Sequence, residues 1–340
     1  MAEKITELDA RLISTGNAVG KKEFEGPLGA LFDIHDEDDR FGKETWEKAE
    51  SEMQRLAFNL ALKKVKLGFN DLDAIFAGDL LNQCVGSSYG LLGCDLPYFG
   101  LYGACSTSAE GLLLAAITVT HGVYDRVAVV TSSHNCAAER QYRTPIEYGG
   151  QRTPTSQWTV TASGAFIVGG REEKSRILTG EECRNVTIRA GMAGRVVDKG
   201  VNDPNNMGAA MAPALCDTFC RFFAESGSRP QDYDLIVTGD LGHEGSAILR
   251  ELMKTEGYEM GERYTDCGIL IYDKKMQDTH SGGSGCGCSA SVLSAYILPE
   301  MEKGRFKRVL FMASGAMMSP DSIKQGQSIP AVGHLLLFEV

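Results

Sequence analysis

Apolar residues come in short unbroken runs separated by glycine-rich turns. AIFAG (74–78), RVAVVTSS (126–133), LIVTG (235–239) and RVLFMASG (308–315) have the pattern of strands buried on both faces. GACSTSAEGLLLAA (103–116) and GSGCGCSASVLSAY (283–296) each open on small residues and run into an apolar helix. In the first of these, Leu112, Leu113, Leu114, Ala115, Ala116 and Ile117 leave no solvated face, which predicts a helix inside the protein. Thr107 and Glu110 have the spacing of a capping box at its start, and Gly122 stands where a C-terminal cap would be. Thr45 to Lys66 reads differently. Charges alternate there with Trp46, Met53, Leu56, Leu60 and Leu62, the pattern of an amphipathic surface helix.

The runs occur twice, in the same order. LDAIFAGDLLNQ (72–83) is answered by YDLIVTGDLGHEGS (233–246), and both carry Gly-Asp-Leu after the apolar run. The Cys105 turn and its strand at Arg126, 21 residues on, are answered by Cys286 and Arg308, 22 residues on. TASGAFIVGG (161–170) and PAVGHLLLFE (330–339) close the two copies. Strand, turn, helix and strand in alternation predict an α/β fold of two duplicated halves, 1–175 and 176–340, joined in the charged stretch 171–183. A solenoid would repeat at a far shorter period.

At 340 residues the chain has about two domains' worth of length, and 43% hydrophobic with 23% charged residues is a globular balance. A net charge of −11 argues against sequence-independent nucleic-acid binding. The longest apolar candidate for a membrane span, 111–123, is broken by Thr118, Thr120 and His121. MAEKITELDARLI at the N-terminus lacks an unbroken apolar core, so no secretory signal is expected and the cytosol is the expected compartment. The ten cysteines are then expected as reduced thiols. Cys286–Cys288 and Cys216–Cys220 lack zinc-site spacing and no C-x-x-C pair exists, so no metal is expected. GGSGCGCSA lacks the Lys and Ser/Thr of a phosphate loop, which removes nucleotide cofactors as well.

Candidate chemistry centres on Cys105, at the junction of a strand and a buried helix. The positive end of the helix dipole lowers a thiol pKa and suits a nucleophile. A small apolar filler, matched by Cys286, explains the residue equally well. Asp79 and Asp240 are paired by the repeat, each just past a buried strand, where ligands bind in open α/β sheets. Each also fits as the cap of its own turn. Asn82 shares the first loop. The loop from His134 to Thr155 carries Arg140, Arg143 and Arg152, whose guanidinium groups match a dianion, or pair with Glu139 and Glu147 instead.

GPLGALFD (26–33), AGDLLNQ (77–83), GACSTS (103–108), TSSHNCAAERQYRTPIEYGGQRTPT (131–155), GAAMAPA (208–214) and GGSGCGCSA (282–290) together resemble the stage V sporulation protein AD family of the thiolase superfamily. The resemblance implies a five-layered αβαβα thiolase-like fold, a homodimer, and a role in loading dipicolinic acid into the developing spore. It implies location in the cytoplasm, peripheral to the spore inner membrane, beside other stage V sporulation membrane proteins. In condensing enzymes of this superfamily the cysteine works with a His after a second-half strand and an Asn or His on the later glycine-rich loop. Here those positions fall on Asp240 and near Ser284, with His243 and His280 nearby as alternative bases. A dipicolinate pocket, with or without calcium, would draw on Cys105, Ser106 and their helix-start amides. Side-chain donors would come from Asn82, His134, Arg140 and Arg143, with Asp79 and Asp240 orienting them. Three functions stand at this point: a dipicolinate-binding protein with a degenerate site, an active acyltransferase using Cys105, and a structural subunit of a membrane-associated complex.

Overall fold

The apolar runs lie side by side in one hydrogen-bonded path, in a computed structural model that describes residues 4–142, 152–170, 172–173 and 185–340. The first half supplies β1 (Thr6–Val19), β2 (Ala74–Gly78), β3 (Tyr98–Gly100), β4 (Arg126–Ser133) and β5 (Ala162–Gly169), in the order β3-β2-β4-β5-β1. The second supplies β6 (Thr187–Met192), β7 (Leu235–Thr238), β8 (Tyr264–Asp266), β9 (Arg308–Ala316) and β10 (Ala331–Glu339), in the order β8-β7-β9-β10-β6. The two orders are the same. In both halves the strands around β2 and β7 pair parallel and the rest antiparallel, and the half-sheets meet where β1 runs antiparallel to β6.

Even the polar corners repeat. The Asp73 carboxylate accepts from the Arg126 amide at 2.9 Å, and the Asp234 carboxylate accepts from the Arg308 amide at 3.0 Å. The Arg126 guanidinium donates to the Asp71 carbonyl at 2.9 Å, and that of Arg308 to the Asp232 carbonyl at 2.9 Å. The expected join at 171–183 lies outside the described residues, apart from 172–173.

Helices complete five layers. α1 (Trp46–Val65) covers the outer face of the first half-sheet, and α4 (Met207–Ser226) with α5 (Gly242–Thr255) covers that of the second. Between the half-sheets lie α2 (Thr107–Thr120) and α6 (Cys286–Val292), the latter running on through a π turn, Leu293–Ile297, into α7 (Leu298–Glu302). The helix α3 (Asn135–Tyr142) follows β4. At the centre, the Ser108 and Ser289 hydroxyls hydrogen-bond at 2.6 Å, each three residues past its cysteine.

Local signals account for most of these elements. Thr45 caps α1 by accepting from the Lys48 amide at 3.4 Å, and Lys66 ends the helix in the left-handed region. The helix lies close against β1 because Gly16 has no side chain: a Cβ there would stand 2.4 Å from the Ala57 carbonyl oxygen. Gly122 ends α2 at φ 68°, as its position suggested. The capping box at the start of α2 does not form. A 3₁₀ turn, Ala104–Ser106, leads straight into the helix, so Thr107 lies inside it and donates to the Ala104 carbonyl at 2.7 Å. Glu110 is left with Oε2 buried and without a hydrogen bond, and burial pushes its carboxyl up. Among the described residues no helix is long and apolar enough to cross a membrane.

Candidate functional site

Ala104 is the bend that presents Cys105. A φ of 52° is costly for a residue with a Cβ, and it turns the chain sharply before the buried helix begins. Cys105 then lines a cleft between the halves that holds about 480 Å³ of atom-free space, part of it open to solvent. One wall is Leu80, Ala138, Glu139 and Tyr142 from the first half; the other is Met207, Ser284, Ala316 and Met318 from the second. Thr159 donates to the Glu139 carboxylate at 3.0 Å on one side of it. Ser284 is held in place by a short parallel pairing of 158–159 with 283–284.

Beside the thiol stands Asp240. Its carboxylate accepts from the Ser314 hydroxyl at 2.7 Å, the Gly285 amide at 2.8 Å and the Ser284 hydroxyl at 3.4 Å. Complete burial nevertheless pushes the Asp240 carboxyl up to about 6. The thiol itself is driven well above its ordinary range, first by burial and then by the negative charge and hydrogen bond of Asp240. This reverses the effect expected of a helix start. A dipole worth about 1 kcal/mol cannot outweigh desolvation and an adjacent carboxylate. Cys105 is a protonated donor here, not a thiolate.

The alternative bases lie elsewhere. His243 opens α5, where its amide donates to the Ser281 carbonyl at 2.6 Å, and it is not among the cleft-lining residues. His280 is also absent from the lining. Its Nδ1 sits 2.6 Å from the Thr153 carbonyl and its Nε2 3.0 Å from Asp278, which Arg152 also holds at 2.8 Å. Asp79 is fully enclosed away from the cleft and accepts from the Leu81 and Ser87 amides and the Ser87 hydroxyl. That is the turn-capping role. Ser106 turns its hydroxyl onto the Gly103 carbonyl at 2.6 Å. His134 is buried, with Nε2 2.8 Å from the Asp39 carbonyl.

Asn82 is exposed near the cleft, where its amide donates to Gln141 at 2.9 Å and its side chain meets the Tyr102 hydroxyl at 3.5 Å. Tyr102 in turn bonds Tyr142, which lines the cleft. Arg140 pairs with Glu47, and Glu147 lies outside the described residues. Arg143 lies outside the described residues.

Sequence reasoning missed Ser314, Tyr142, Glu139 and Met207. The repeat held a signal for one of them: Ser314 stands in β9 where Ser132 stands in β4, and the Ser132 carbonyl accepts from the Cys286 thiol at 2.9 Å. Each half's cysteine therefore meets polar groups contributed by the other half.

Five layers around a cysteine turn are the architecture of the thiolase-like condensing enzymes, and solved members superpose over almost the whole chain. 3-Oxoacyl-[acyl-carrier-protein] synthase III from Aquifex aeolicus VF5 is 14% identical at a TM-score of 0.52, covering 97% of this chain and 100% of that one. Human mitochondrial 3-ketoacyl-CoA thiolase is 8% identical at a TM-score of 0.58, covering 100% of both. Such identities speak for the fold alone. Residues 4–339 match the profile of the family described as stage V sporulation protein AD. The stage V sporulation protein AD of Bacillus subtilis (strain 168) is 41% identical over 326 residues, 96% of this chain and 93% of that protein. The chain belongs to the stage V sporulation protein AD family.

Proposed function

We propose that this sporulation protein binds dipicolinic acid in the Cys105 cleft and serves its uptake into the developing spore, with no acyl chemistry at the thiol. The observation that carries the reading is Asp240 beside Cys105, a carboxylate where a condensing site needs an imidazole base; burial first, and that carboxylate second, hold the thiol above its ordinary range. What remains is a binding cleft. Leu80, Ala138, Met207 and Met318 form apolar walls for a flat ring, and the hydroxyls of Tyr142, Thr159 and Ser284 join the thiol as polar groups.

Calorimetry with dipicolinate tests this, with and without calcium and beside isophthalate, which keeps the carboxylate spacing without the ring nitrogen. Wild type is expected to bind dipicolinate, and Cys105→Ala to bind about ten- to a hundredfold more weakly, the effect of losing one buried polar contact. Absence of wild-type binding at millimolar ligand in both conditions overturns the reading. So does an acyl adduct on Cys105 after incubation with acetyl-CoA.

A second copy of the chain is the proposed partner at β3. That edge strand exposes Tyr98 and Phe99, with Tyr89 and Leu92 at 68% and 77% exposure beside it. Unpaired edge groups next to an apolar patch fit a self-complementary interface. Phe99→Glu is expected to convert a dimer to a monomer in sedimentation; a wild-type monomer removes the proposal. Family membership supports peripheral association with the spore inner membrane beside other stage V sporulation membrane proteins. Co-fractionation with that membrane, lost when those proteins are deleted, is the expected result.

A further inference from the structure

Helix α4 carries Cys216 and Cys220 one turn apart, far along the chain from the Cys105 turn and not among the residues lining its cleft. Their sulfur atoms are 3.9 Å apart and both residues are half-buried. Helical i,i+4 spacing holds Cβ atoms about 5–6 Å apart, whereas a disulfide needs about 3.5–4.5 Å. Closing that bond would bend the helix. A shared thiophilic centre imposes no such movement: two sulfurs about 2.3 Å from a tetrahedral centre stand about 3.8 Å apart. That is the spacing already present.

We propose that Cys216 and Cys220 form a two-thiolate chelate for a thiophilic centre, a soft divalent cation or trivalent arsenic, at a site separate from the Cys105 cleft. Among the described residues no group of three His, Cys, Asp or Glu side chains is placed to hold a metal. The pair therefore suits a centre that takes two protein sulfurs and brings its remaining ligands with it. The other described cysteines fit less well. Cys84, Cys94, Cys105, Cys267, Cys286 and Cys288 are buried, and Cys136 lies outside this pair.

The probe is phenylarsine oxide on the reduced, full-length protein. The oxide oxygen leaves as water with the two thiol protons while two As–S bonds form, and arsenic stays trivalent throughout. One adduct per chain is expected, mapped by mass spectrometry to the peptide holding both cysteines. It should resist excess monothiol and be reversed by a competing dithiol. Cadmium titration should raise a sulfur-to-metal charge-transfer band of the same stoichiometry. Cys216→Ser and Cys220→Ser should each weaken both by at least a hundredfold while circular dichroism keeps the wild-type spectrum. An adduct that maps to other cysteines, or no adduct on wild type, overturns the proposal. Mapping on wild type needs no variant, so a folding defect in either serine protein leaves the test intact.

Discussion

Asp240, its carboxylate accepting from Ser314 and Gly285, adds to burial in holding the Cys105 thiol above its ordinary range. Asp240→Asn removes the charge but not the burial, so the thiol should fall toward its ordinary range and remain above it. Iodoacetamide alkylation of Cys105 at pH 8 should speed up about tenfold for each pKa unit recovered; an unchanged rate would assign the whole effect to burial. A second buried acid sets a pH dependence. Glu23 accepts from the Thr161 amide at 3.0 Å and from the Tyr272 hydroxyl, and burial still pushes its carboxyl up to about 7. The unfolded chain releases that proton near pH 4.3, so the native state binds it more tightly. The stability this confers is complete below about pH 4 and is lost as pH rises to about 7, a change on the order of 3 kcal/mol. Glu23→Gln should flatten the thermal midpoint across that interval. Asp240 was legible because the repeat paired it with Asp79. Which of the two stood beside Cys105 was not, since both follow the same Gly-Asp-Leu pattern and only tertiary packing separates them.

Strands β2, β4, β7 and β9 and helices α1, α2 and α6 were readable from their patterning because each is buried on both faces or along one stripe, whereas β1, β6, α4 and α5 went unread. Short elements were harder. The start of α2 depends on a left-handed Ala104, which no propensity predicts, and the long arginine loop begins as the helix α3. One contact between elements was visible only as a glycine in GAAMAPA. α4 and α5 touch backbone to backbone at Gly208 and Gly245, where a Cβ on either would stand 2.8 Å from the other's main chain. Gly208→Ala should push the helices apart at a cost of about 1–3 kcal/mol in denaturant unfolding. It should also weaken dipicolinate binding, because Met207 next to it lines the cleft. Unfolding unchanged from wild type would show that the crossing can relax without cost.

For the whole molecule, two halves with the same strand order do unequal work. Cys105 faces the cleft, while Cys286, at the matching helix start, is fully buried with its thiol on the Ser132 carbonyl. The halves were legible in the sequence because the strands that define them are continuous apolar runs, whereas the cleft is built from residues far apart in the chain. Where the two copies meet, Ser108 and Ser289 hydroxyls share one hydrogen bond at 2.6 Å. Replacing Ser289 with alanine strands the Ser108 hydroxyl in the core and should cost about 1 kcal/mol or more, whereas after Ser108→Ala the Ser289 hydroxyl keeps its bond to the Cys286 carbonyl at 3.3 Å. The double replacement should cost less than the sum, with a coupling of about 0.5–1 kcal/mol in a double-mutant cycle; strict additivity would deny the link. Mutational drift at one of these positions is therefore conditioned by the residue at the other. Across descendants of an ancient duplication, the two serines should be inherited, and exchanged, together.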